Sequence, residues 1–230
     1  RDIAFEELRK SHDAIYIATG TQFSNKVGIP GETLKGVYHG LDFLRDVNLG
    51  RFINIGSKVL VIGGGNTAID AARSALRLGA EEVHILYRRT IDDMPADYRE
   101  VQDAIEEGVQ IHTLVAPVRV IGESCVRGLE CLRMELDGFD SSGRKKPVAI
   151  PKSEFVIEAD MVIPAVSQYS DLPFINKEEI RMTNWGTFIT NRDTMMTSLN
   201  GVFAGGDVVR GSDVAITAIA DGKNAARSID

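Results

Sequence analysis

The stretch Lys58-Val59-Leu60-Val61-Ile62-Gly63-Gly64-Gly65-Asn66-Thr67-Ala68 decides the fold. An apolar run of strand length stops at three glycines, and Ile69, Ala72 and Leu76 then recur at helical spacing until Gly79. Glu82–Tyr87 reads as a second strand, so residues 58–87 have the order and length of a parallel strand–helix–strand crossover. The glycines match a dinucleotide fingerprint, Gly63-x-Gly65-x-x-Ala68. In that pattern one glycine makes the tight turn, the next admits a pyrophosphate close to backbone, and the small third residue lets helix pack on strand. Gly63, Gly64, Gly65, Asn66, Thr67 and Ala68 are therefore candidate nucleotide-binding residues. They open a helix whose unpaired N–H groups and dipole attract phosphate.

About 20 positions beyond such glycines, an acid at the end of the second strand selects the free ribose 2′-hydroxyl of NAD. Here Tyr87-Arg88-Arg89 occupies that place. Guanidinium groups attract a 2′-phosphate, so Arg88 and Arg89 point to NADP rather than NAD.

Outward from this unit, Ala4–Lys10 has short helical character, Asp13–Ala18 reads as a buried strand ending in Thr19-Gly20, and Leu41–Val47 has amphipathic helical spacing. Downstream, Tyr98–Glu107 reads as a helix and Val109–Leu114 as a strand. Val118–Ile121, Leu129–Leu136 and Phe155–Ile157 read as antiparallel strands, with Asp140-Ser141-Ser142-Gly143 as a hairpin tip and Arg144-Lys145-Lys146 as a solvated turn beside it. Asp160–Ala165 and Val202–Asp207 are further strand signals, and Asp213–Ile229 is the final helix.

Composition narrows the function classes. With 43% apolar and 26% charged residues in a chain of 230, the sequence is that of an ordinary globular protein able to bury a core. A net charge of −7 argues against a nucleic-acid partner, since phosphate backbones call for a basic surface. No run approaches the roughly 18 apolar residues of a membrane span. Cys125 and Cys131 form neither a Cys-x-x-Cys nor a metal cluster pattern, and their scarcity fits a cytoplasmic setting. His12, His39, His84 and His112 lie scattered without metal spacing and read as structural. No metal site and no side-chain catalyst is expected. In hydride transfer the cofactor supplies the chemistry and the protein supplies geometry.

Five motifs in order, Ala18-Thr19-Gly20, Ile29-Pro30-Gly31, the Gly63–Ala68 fingerprint, Tyr87-Arg88-Arg89 and Phe203-Ala204-Gly205-Gly206-Asp207, resemble the small subunit of NADPH-dependent glutamate synthase. The resemblance extends to its flavoprotein relatives, among them the NADPH module of dihydropyrimidine dehydrogenase. It implies an α/β fold in which a Rossmann-like NADP-binding domain (49–166) is inserted into an incomplete FAD-binding domain (1–48 and 167–230). It further implies a flavin contact at Gly206 and Asp207, with Thr19 and Gly20 nearby, and a helix starting near Val214-Ala215 with its N-terminus toward the isoalloxazine. No second glycine fingerprint precedes Ala18, so the chain reads as the carboxyl-terminal part of a longer reductase. The implied activity is hydride transfer from NADPH to FAD, with electrons passing to an iron–sulfur partner such as a glutamate synthase large subunit. The competing reading is an NADP(H)-binding module without FAD or turnover.

Overall fold

The computed structural model describes residues 3–140, 143–176 and 178–230. In chain order the elements are α1 (Phe5–Ser11), β1 (Ile15–Ile17), β2 (Phe23–Ser24), α2 (Gly40–Asn48), β3 (Lys58–Ile62), α3 (Asn66–Arg77), β4 (Glu82–Tyr87), α4 (Tyr98–Glu106), β5 (Gln110–Thr113), β6 (Val115–Gly122), β7 (Val126–Phe139), β8 (Lys145–Ala149), β9 (Phe155–Glu158), β10 (Met161–Pro164), β11 (Gln168–Tyr169), β12 (Val202–Ala204), α5 (Asp207–Arg210) and α6 (Ala215–Ile229). They form two compact units, one of residues 24–166 and one combining the chain's first 23 residues with residues 167–230.

In the 24–166 unit the parallel sheet has the order β10-β3-β4-β5. Of its two inner strands, β3 is apolar from Val59 to Ile62 because both faces are covered. Val59 and Val61 face one way, into a core with Val83 and Ile85 of β4 and with Phe43, Ile69, Ala72 and Val101 from the helical layer. Leu60 and Ile62 face the other way, into a core with Leu86 of β4 and with Val115, Leu129 and Cys131 from the antiparallel strands. The period-two alternation of one strand thus feeds two cores. Helix α3 packs as closely as it does because its inner face is alanine: Ala68, Ala71, Ala72 and Ala75 are fully buried.

Two expectations are corrected here. Residues 24–48, read as part of the terminal domain, pack with residues 49–166 instead. The Tyr38 amide donates to Val162 O (2.9 Å), and α2 buries Phe43 in the helical core. The basic run is not a turn. Lys145 and Lys146 open β8, which pairs antiparallel with β7 and brings Lys145 opposite Phe139. Of the expected hairpin tip, Ser141 and Ser142 lie outside the described residues, while Asp140 and Gly143 close it through a Gly143 N to Asp140 O bond of 2.9 Å.

On the same sheet His84 and His112 occupy neighbouring strands, with His84 Nδ1 2.9 Å from His112 Nε2 and His84 Nε2 3.2 Å from Glu82 Oε2. In the other unit β1 and β12 pair in parallel, Ile15 with Val202 and Ile17 with Ala204. Their apolar side chains join Phe5, Leu172, Ile180, Phe188 and Val208 in a separate core.

Candidate functional site

The three glycines at the end of β3 differ in what they do. Gly63 has φ +148°, and a Cβ there would lie 2.3 Å from Ala165 O, so the turn's backbone presses against the end of β10. At Gly64 a Cβ would strike the Tyr87 ring at 2.6 Å. Gly65 faces open space: a Cβ would meet nothing nearer than Pro95 Cγ at 3.9 Å, and its φ of −92° suits any residue. The fold therefore explains two glycines and leaves the third without a packing role.

Gly65 O accepts the amides of Ala68 (2.9 Å) and Ile69 (3.2 Å), which starts α3. The N–H groups of the first turn have no intrahelical acceptor by construction. Asn66 Oδ1 accepts the Asp97 amide (3.0 Å) and Gly64 O accepts that of Ala96 (3.1 Å), so the segment before α4 is stitched to the glycine turn. The Thr67 methyl would be 3.3 Å from a Cβ at Gly40, which brings the start of α2 against the start of α3. Ala68 is fully buried, as a small third residue should be.

At the end of β4 the two arginines part. Arg88 is exposed and has no hydrogen bond or ion pair with a described residue. Arg89 is 3% exposed, with Nη2 2.7 Å from Asp140 Oδ2 and Nε donating to Lys145 O at 2.8 Å. The expectation of two free guanidinium groups is thereby corrected. Burial and the Asp140 ion pair commit Arg89 to holding the β7–β8 hairpin against β4.

In the other unit a cleft of about 370 Å³ opens at the end of β12, lined by Tyr16, Gly20, Gly205, Gly206, Asp207, Asp213 and Ala215 among others. Gly20, Gly206, Asp207 and Ala215 of the expected set line it, whereas Thr19 and Val214 do not; Val214 is the N-cap residue of α6. Gly206 has φ +71°, and a Cβ at Gly205 would sit 2.3 Å from the Tyr16 hydroxyl and 2.7 Å from Asp221 Cβ. Asp207 Oδ1 accepts the Asp213 amide at 3.3 Å, and Asp213 Oδ1 accepts that of Val214 at 2.8 Å.

Asp221, which no motif marks, organises this turn. It is fully buried, takes the Gly206 amide at 3.0 Å, and pairs through both oxygens with Arg210 at 2.8 and 2.6 Å. The guanidinium, seconded by the Gly206 N–H, holds its carboxyl below the usual range. Burial and the Asp221 charge push the Tyr16 hydroxyl up. Burial raises the Cys131 thiol to about 12, which leaves it unreactive. Among the described residues no His, Cys, Asp and Glu cluster could hold a metal ion, and no helix is long and apolar enough to cross a membrane.

The chain is 45% identical over its whole length to the NADP(+)-dependent formate dehydrogenase subunit beta of Moorella thermoacetica, of which it covers 33%. It is 39% identical, again over its whole length, to the glutamate synthase (NADPH) small chain of Azospirillum brasilense, of which it covers 50%. The chain thus spans a third to a half of these curated relatives. The solved structure of Mycobacterium tuberculosis FprA in complex with NADPH superposes with a TM-score of 0.78 over 99% of this chain and 65% of that one; at 19% identity the likeness is one of fold. A family model matches residues 5–222, and the chain belongs to the pyridine nucleotide-disulphide oxidoreductase family.

Proposed function

We propose that the chain is the NADPH-binding and part of the FAD-binding portion of an oxidoreductase, and that it passes reducing equivalents to a partner subunit or domain bearing iron–sulfur centres. The observation that carries this reading is Gly65. Its missing side chain serves neither backbone strain nor internal packing, and a pyrophosphate lying on the start of α3 would need that space. The names of the relatives, a formate dehydrogenase subunit and a glutamate synthase small chain, support a multi-subunit setting. A cytoplasmic location accords with the reading.

On this proposal the amides at the start of α3 bind the pyrophosphate and Arg88 meets the 2′-phosphate. Gly63 and Gly64 keep the turn flush against β10 and Tyr87 so that the amides converge. In the other unit, Asp221 and Arg210 hold the Gly205–Gly206 turn, and Asp207 offers a carboxylate to ribityl hydroxyls at the cleft. The residues fit a flavin there in one testable respect, since side chains are missing where the backbone borders the cleft. FAD, when bound, supplies the acceptor for hydride and the means of releasing electrons singly. The start of α6, at Val214-Ala215, would favour negative charge on a reduced flavin.

Gly65→Val tests the nucleotide site. Calorimetry should show loss of NADPH binding with a cost in stability no larger than about 1 kcal/mol, the scale of changing an N-cap residue. A variant that binds NADPH like the parent would remove the assignment.

A further inference from the structure

Residues 36–38 extend the parallel sheet past β10. Val37 bridges Val162 in parallel, the Val162 amide donates to Gly36 O (2.9 Å), and the Tyr38 amide donates to Val162 O (2.9 Å). The residues that follow these strands therefore stand in the order His39, Ala165, Gly63 and Arg88 along the sheet's carboxyl edge. From β3 the chain moves off toward β4, while β10 lies on its other side, and the crevice at such a point of divergence is where an open α/β sheet takes its ligand. Close packing brings His39 to this crevice. A Cβ on the next residue, Gly40, would lie 3.1 Å from Ala165 Cβ, 3.3 Å from Pro164 O and 3.3 Å from Thr67 Cγ2.

Nothing in the fold accounts for an imidazole here. His39 is the N-cap residue of α2, and its carbonyl accepts the Phe43 amide at 2.9 Å, but its side chain caps nothing. Ser24 Oγ accepts the Leu41 amide instead, at 3.2 Å. His39 Nδ1 is buried without a hydrogen-bond partner among the described residues. Buried polar atoms are paired almost without exception, so a nitrogen left over marks a group that a ligand or a water completes. The side chain as a whole is half-buried, and its outer torsion is soft and roughly two-fold, so a half-turn of the ring can bring Nδ1 to the open side and bury a carbon in its place.

We propose that His39 is a binding residue for the nicotinamide riboside half of NADPH, whose hydroxyls and carboxamide can both complete the nitrogen that the fold leaves unpaired. The inference rests on the reading of the start of α3 as the pyrophosphate site and of Arg88 as the 2′-phosphate contact. Those two points set the direction of the nucleotide. With its adenosine at β4 and its pyrophosphate at β3, the remaining half runs on over Ala165 toward the edge where His39 stands, two strand spacings or roughly 10 Å from β3. A histidine whose spacing suggests no role thereby becomes the one polar side chain on the page that answers the reactive half of the cofactor.

The test measures dissociation constants for NADPH and for 2′,5′-ADP, a fragment that keeps both ends of the adenosine side and lacks the nicotinamide riboside. His39→Leu should weaken NADPH about tenfold, the loss of one modest hydrogen bond, and leave 2′,5′-ADP within about twofold. His39→Asn, whose amide stands close to where Nδ1 stands, should hold NADPH within about threefold of the parent. In ¹H–¹⁵N spectra of the parent's histidine side chains, the signals that His39→Asn removes should move on adding NADPH and stay in place on adding 2′,5′-ADP; these spectra decide the matter if His39→Leu does not fold. NADPH affinity unchanged in His39→Leu, equal weakening of both ligands, or His39 signals that respond equally to both would overturn the proposal while leaving the nucleotide site standing. A parent protein that binds neither ligand would overturn both.

Discussion

The two glycine turns, one after β3 and one after β12, are built alike in outline and held by different forces. Each ends a parallel strand and opens a helix. The first is fixed by shape: Gly63 against the Ala165 carbonyl and Gly64 against the Tyr87 ring. The second is fixed by charge: a buried Asp221 ties the Gly206 amide to Arg210. The lesson is that a glycine turn between strand and helix can be held either by close backbone packing or by an ion pair behind it. The two should fail differently.

The largest expected effect is at the packed turn. Gly63→Ala adds a Cβ 2.3 Å from a carbonyl at a backbone angle that disfavours side chains. Strain and overpacking together should cost roughly 4 kcal/mol, read from urea unfolding. A loss under about 1 kcal/mol would mean the turn is not shape-limited. Next comes the charged turn. Asp221→Ala strands the Gly206 amide and Arg210, and because Arg210 is half-exposed the cost should fall at about 2–3 kcal/mol, below that of a fully buried pair. Gly64→Ala should cost about 1–2 kcal/mol through contact with Tyr87, and Tyr87→Leu should relieve it.

The smallest effect separates the turns by pH. Since the folded-state pKa of Asp221 is depressed, its contribution is present above roughly pH 4 and is lost as pH falls through the lower folded value. Asp221→Asn should flatten that part of the stability profile, and Gly63→Ala should shift the whole profile without changing its slope there. Equal acid slopes in parent and Asp221→Asn would show that the pair adds nothing.

The difference between the turns also explains what the sequence made legible. The apolar run Val59–Ile62 reads as a strand in the sequence because it is buried on both faces and ends sharply at the glycines, and Glu82–Tyr87 reads as its partner at the bounds observed. The first turn's residues are contiguous with it and could be named in advance. Strand β8 escaped because it is an edge strand carrying Lys145, Lys146 and Pro147, residues that keep an edge from pairing with strangers and look like a loop. Asp221 escaped because its partners, Gly206 and Arg210, are reached only through the fold, and Arg89 was misjudged for the same reason, its partner Asp140 lying 51 residues away. Helix α6 begins at Ala215 rather than Asp213, whose side chain instead accepts the Val214 amide and the Thr217 hydroxyl.

The contact between His84 and His112 carries its own directional logic. If His84 donates from Nε2 to Glu82, its Nδ1 is a lone pair, and His112 must supply the N–H between the rings. Neutral imidazoles thus form a one-way relay from β5 to β4, ending on a carboxylate that Lys58 also holds at 2.7 Å. A second proton on His84 would set two donors face to face. Burial, the His84 charge and the Lys58 charge already lower the readiness of His112 to accept a proton. Below about pH 6.5, where an unfolded histidine charges and this one resists, the depressed pKa of His112 makes falling pH subtract from the stability of the fold.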